Sequence, residues 1–86
     1  MILRAEAGAY AVCVPLIFKG EVHDILPSPV VAWIVDESGV TGIITPSRVF
    51  PAGSPVYGPE GIVESANGEW PNLQAYCKYL RETLIH

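Results

Sequence analysis

Glu21, His23 and Asp24 form the densest polar cluster in the chain, and an imidazole beside carboxylates is the simplest recipe for a general base near neutral pH. On a regular strand Glu21 and His23 share a face and Asp24 points away. Chemistry at this cluster would need a nucleophile, for which Cys13 is the candidate. Its neighbours Val12 and Val14 are apolar, which raises a thiol's pKa instead of activating it. A solvated group beside a turn is therefore the favoured reading, and no catalytic residue is assigned. A metal site would have to combine Cys13, His23, Cys77 and His86, and the chain lacks the close Cys–Cys and His–His pairs of structural zinc. No metal ligand and no cofactor-binding residue follows from these types and spacings.

A second kind of chemistry, recognition by large side chains, is suggested by residues 46–61. Pro46, Pro51, Pro55 and Pro59 alternate there with Gly53, Gly58 and Gly61, which predicts irregular chain holding at most a short strand at Val56 and Tyr57. Loops longer than about 12–15 residues in small domains are usually functional or disordered. Arg48, Phe50 and Tyr57 have the reach to meet a partner, and Arg and aromatic residues are the types enriched at binding hot spots. The alternative is that Phe50 and Tyr57 fold back onto the core. Trp70 either staples a helix to the sheet or anchors a partner at an exposed rim. The prolines are out of phase with a polyproline helix and are read as rigid turns.

The elements that must position these groups are mostly strands. Residues 30–35 are β-branched or aromatic without a polar member, and after a turn at 36–39 residues 40–45 bring Thr and Gly into alternation. This is a hairpin whose first arm, with Trp33, is expected to be buried on both sides as the core of the sheet. Residues 9–14 alternate bulky and small as a strand that Pro15 should end or place at an edge. A short strand turning through Gly20 follows, then a stiff extended segment at Pro27 and Pro29. Residues 62–65 read as the last strand, closed by Asn67 and Gly68. Trp70, Leu73, Tyr76, Cys77, Leu80 and Leu84 make one apolar stripe at helical spacing, predicting a helix over about 71–85 with Pro71 in its first position. The fold expected is α+β, one domain over 1–86, with a small antiparallel sheet of four or five strands over about 9–65 and the carboxy-terminal helix on one face. A small β-barrel with an appended helix is the alternative.

Of the 86 residues, 50% are hydrophobic and 16% charged. A chain this short buries only about 60–65% of the surface its unfolded form exposes, so that much apolar material points to cover by a partner or a second copy. The net charge of -4, with five scattered Lys and Arg, argues against nucleic acid. Cys13 and Cys77 do not form a disulfide framework and suit a reducing, cytoplasmic setting. Pro15 interrupts the only early apolar run, which argues against a signal peptide, and no uncharged stretch reaches a membrane span. The chain is similar in general character to small accessory proteins of phages and mobile elements. The function expected is a non-enzymatic protein–protein interaction or self-assembly module without cofactors, its partner a protein or another copy, with no nucleic acid and no membrane. The alternative is a small enzyme or ligand-binding domain using Glu21, His23, Asp24 and Cys13.

Overall fold

The computed structural model describes residues 1–84, which form β1 Ile2–Arg4, β2 Ala11–Phe18, β3 Glu21–Pro29, β4 Ala32–Asp36, β5 Gly39–Ile44, β6 Val49–Pro51, β7 Val56–Tyr57, β8 Val63–Ser65, β9 Gly68–Trp70 and α1 Leu73–Leu84. The fold is α+β, with two antiparallel sheets in place of one: a four-stranded sheet ordered β1-β4-β5-β6 and a five-stranded sheet ordered β3-β2-β7-β8-β9. It is not a closed barrel. The sheets are joined at a corner where β3 runs into β4. Val30 N donates to Tyr10 O at 2.9 Å and Val31 N donates to Ile44 O at 2.9 Å, so successive residues bond into different sheets. A strand that bends and passes from one sheet to the other in this way makes the corner between them.

Successive residues of β2 face opposite ways, and Val12 and Cys13 are nonetheless both buried, at 1% and 2% exposure. The five-stranded sheet is thus the middle layer. On one face Val12 packs with Val30 and Ile43 beneath the four-stranded sheet, and on the other Cys13, Ile25 and Val63 pack with Tyr76 of α1. The expected central role of the hairpin at 30–45 therefore passes to β2. The first arm, β4, is only half-buried, because its sheet has one covered face, and Trp33 sits at the rim with its ring edge-on to Tyr10 at 5.4 Å.

Pro15 does not end its strand. Cys13 N donates to Pro55 O at 2.9 Å, and the ladder to β7 stops at Val12. Two residues on, the nitrogen of Pro15 points to that same side, where no strand remains to be bonded, so the missing N–H costs nothing. The β2–β3 hairpin closes through Lys19 and Gly20, both at positive φ (52° and 79°), the pattern of a type I′ turn.

One irregularity in β3 overturns the expected facing of the polar cluster. The register steps from Leu16↔Asp24 to Ile17↔Val22, leaving His23 as an extra, bulged residue. The bulge lets Val22 and Ile25, three residues apart, both turn inward, at 4% and 7% exposure. Glu21 and Asp24, opposite Phe18 and Leu16, then share the other face, so Asp24 does not point away as simple alternation implied, and the His23 ring stands edge-on to Phe18 at 5.7 Å.

Within the Pro/Gly-rich loop two short strands form, β6 and β7, with Pro51 on an edge where it need not donate. Strand β8 is not the last: a turn at Ala66 and Asn67 leads into β9, so the sheets span 2–70, not 9–65. The helix starts at Leu73, two residues after Pro71, because Asn72 is the cap. Its Oδ1 accepts from Ala75 N at 2.7 Å, satisfying one of the orphan donors of the first turn.

Candidate functional site

The residues of the enzyme alternative do not converge. Cys13 lies in the core against Ile25, Val63 and Tyr76, and burial pushes its thiol up to about 11. Glu21, His23 and Asp24 are exposed, and Asp24 Oδ1 accepts from Ile25 N at 2.8 Å. What the fold brings to His23 and Asp24 instead is α1: a shallow cleft of about 240 Å³ is lined by both together with Gln74, Cys77 and Arg81. The sequence signal for this was the placement of Cys77 and Arg81 four apart, on one helix face.

Arg81 already has an occupation in that cleft. Its Nε donates to Val22 O at 2.9 Å and its Nη2 to His23 O at 3.3 Å, carbonyls of the edge strand β3 at its bulge. The arginine ties the helix to the hairpin at the bulge. Because hydrogen bonds to charged groups are worth about 1.5–3 kcal/mol, Arg81→Ala is expected to lower stability by about that much. Arg81→Lys should recover only part, since an ammonium lacks the planar fork that spans two carbonyls. Urea denaturation of both variants measures this, and an unchanged midpoint in Arg81→Ala would remove the tie.

Cys13 and Cys77 meet in one apolar cluster and both are free thiols. The raised pKa of Cys13 has a consequence for stability at high pH. Folding holds the thiol protonated where the unfolded chain has lost its proton, so the stabilisation is full below about 9 and disappears as pH rises to about 11. Burial raises Tyr76 as well, with the same sign. Stability should therefore fall steeply over this window, by less in Cys13→Ala. Equal slopes in the two proteins would contradict the assignment to Cys13. Among the described residues no three His, Cys, Asp or Glu side chains gather as metal ligands, and His86 lies outside the described residues.

The four candidate interaction residues fall into two separate places. Arg48 is exposed with its guanidinium carbon 4.4 Å from the centre of the Phe50 ring, and Phe50 leans on the Val12–Val30–Ile43 cluster. Thr45, buried at 4% exposure, fixes this corner by donating its hydroxyl to Arg48 O at 2.8 Å. Tyr57 and Trp70 pack instead on the helix side of the middle layer. Trp70 lies 4.7 Å from both Tyr76 and Tyr79, ring centre to ring centre, and so staples α1 to the sheet.

A different surface emerges from β2. Val12, Val14, Leu16 and Phe18 share one face by alternation, and cover runs out along them: 1% exposure at Val12, half-burial at Val14, 47% at Leu16 and 60% at Phe18. Leu26, opposite Val14, is 48% exposed on the same face. The inner half of this stripe is the core beneath the four-stranded sheet, and the outer half continues onto a two-stranded ribbon where Leu16 and Phe18 stay largely exposed, with the His23 ring edge-on to Phe18 at 5.7 Å. Lys19 at the tip stands 5.4 Å from the Phe18 ring centre. A second apolar feature, a groove of about 430 Å³, lies where the sheets diverge and is lined by Tyr10, Trp33, Val40, Val56 and Glu64. Neither surface was recognised in the sequence, where Leu16, Ile17 and Phe18 look like any buried strand. In comparison with known proteins, no family model matches the chain, no curated protein matches its sequence, and no solved structure matches its fold.

Proposed function

We propose that this chain is a non-enzymatic interaction module that works by presenting apolar surface to a protein, either another copy of itself or a different chain. The observation that carries the reading is the stripe on β2, a core-grade apolar face that outruns the layer covering it. Exposed apolar patches rimmed by charge are the usual mark of a protein-binding surface, and two-stranded ribbons are marginal without further packing. The enzyme alternative gains no support from the geometry: its nucleophile is buried in the core, whereas Glu21, His23 and Asp24 are exposed. Two free thiols agree with a reducing, cytoplasmic location. No helix among the described residues is long and apolar enough to cross a membrane.

Radical footprinting of the chain in its own cells, compared with the dilute purified protein, tests this reading. Oxidation of Phe18 and Leu16, or of Tyr10 and Trp33 in the groove, should be suppressed in cells. Identical labelling of all four in both settings would contradict it.

A further inference from the structure

The geometry points to the occupant of the stripe: a second copy of the same chain, packed ribbon on ribbon about a two-fold axis, with Leu16, Phe18 and Leu26 of each covering those of the other. This inference rests on the interaction reading and names its partner. The face is self-complementary in its charges, which differ along its length. Lys19 stands at the turn, and Asp24, opposite Leu16, stands nearer the body on the same face as Leu16 and Phe18. A two-fold axis across the strands near Ile17 reverses one ribbon against the other and brings each Lys19 towards the partner copy's Asp24.

Among the described residues the only ion pair within 4.0 Å is Lys78–Glu82 on the helix, so neither Lys19 nor Asp24 is ion-paired among them; Asp24 Oδ1 accepts from Ile25 N. Glu21, opposite Phe18, adds a second carboxylate within reach of the incoming lysine. Cyclic two-fold dimers are the commonest closed assembly, and their contact is always a patch meeting itself. The patch is short beside the roughly 20–30 residues a side of a stable complex, so the dimer should be weak and depend on concentration. It also leaves the groove at Tyr10 and Trp33 free.

Sedimentation equilibrium on the purified full chain reads the assembly directly. The native protein should pass from monomer to dimer, and no further, as concentration rises. Phe18→Ser should weaken the dimer at least about 100-fold, because each substitution removes a buried aromatic twice. The monomer's melting temperature should stay unchanged, since Phe18 is exposed there. Lys19→Asp, which tolerates the positive φ of the turn, should weaken association about tenfold, and adding Asp24→Lys to the same chain should restore it. A double variant as weak as Lys19→Asp alone would overturn the two-fold register and with it the proposal. So would a dimer indifferent to Phe18→Ser, growth beyond the dimer, or a native chain that stays monomeric at every concentration. In the last case the footprinting experiment still decides the broader reading: suppressed oxidation in cells with a monomer in isolation means a different protein covers the stripe. Vesicle binding by the monomer, lost in Phe18→Ser, would assign the stripe to a lipid surface and overturn the dimer.

Discussion

Replacing Tyr76 by alanine is expected to cost about 3–5 kcal/mol, the range for deleting a buried aromatic side chain and leaving its cavity. The ring is 6% exposed and touches every part of the helix-side core: Cys13 of β2, Ile25 of β3, Val63 of β8, and the Trp70 ring at 4.7 Å. Tyr76 is the one buried side chain among the described side chains of α1. Since the whole stability of a small domain is about 5–15 kcal/mol, the variant should be largely unfolded at moderate urea and α1 should detach first. Tyr76→Phe should cost much less, because it keeps the packing. If Tyr76→Ala melts like the native protein, α1 is not part of the core.

Val30→Asp is expected to be at least as damaging, at about 4–5 kcal/mol, because it buries an unpaired charge at a position with 2% exposure. Val30 is where the two sheets join, packed against Val12 and Ile43, with its N–H given to Tyr10 O. The side chains of that cluster are apolar, and the exposed Arg48 guanidinium lies over the Phe50 ring. The sign of the pH dependence follows. Burial raises the folded-state pKa of the new acid above its unfolded value near 3.9, so the penalty is small in acid and grows as pH rises. Val30→Thr, without the charge, should show a smaller and pH-independent loss. A full-sized loss in acid would mean that the corner fails for shape and not for charge.

Much of the fold was legible because it rests on local chemistry. The helical stripe of Leu73, Tyr76, Cys77 and Leu80 meets the core as its spacing requires, and the hairpin of β4 and β5 forms where alternation placed it. What escaped the sequence is long-range. A run such as residues 30–35 is compatible with a strand buried on both faces or with one half-buried at a rim, and only the partner layers decide. The prolines misled for a related reason: Pro15 and Pro51 belong to strands at positions whose nitrogen side faces no neighbour, which depends on where β7 ends and on β6 being an edge. The bulge at His23 has no sequence signature of its own, although the spacing of Val22 and Ile25, wrong for simple alternation, is its trace. Of the interaction residues, Arg48 is exposed as expected, whereas Phe50, Tyr57 and Trp70 lean on the cores. The uncovered stripe was hidden because Leu16 and Phe18 are the residue types a buried strand would carry.

Fluorine NMR on a chain carrying 4-fluorophenylalanine tests the stripe most directly, because the protein has only two phenylalanines, Phe18 and Phe50. Phe50, half-buried under Arg48, serves as the internal reference. In dilute protein the Phe18 signal should be broadened strongly by a water-soluble paramagnetic agent and the Phe50 signal weakly. As the protein is concentrated, Phe18 should shift and lose its sensitivity to the agent while Phe50 stays constant. A Phe18 signal that is shielded even at high dilution would contradict the exposed stripe, and one that stays open at every concentration and in cell extract would contradict the claim that a protein covers it.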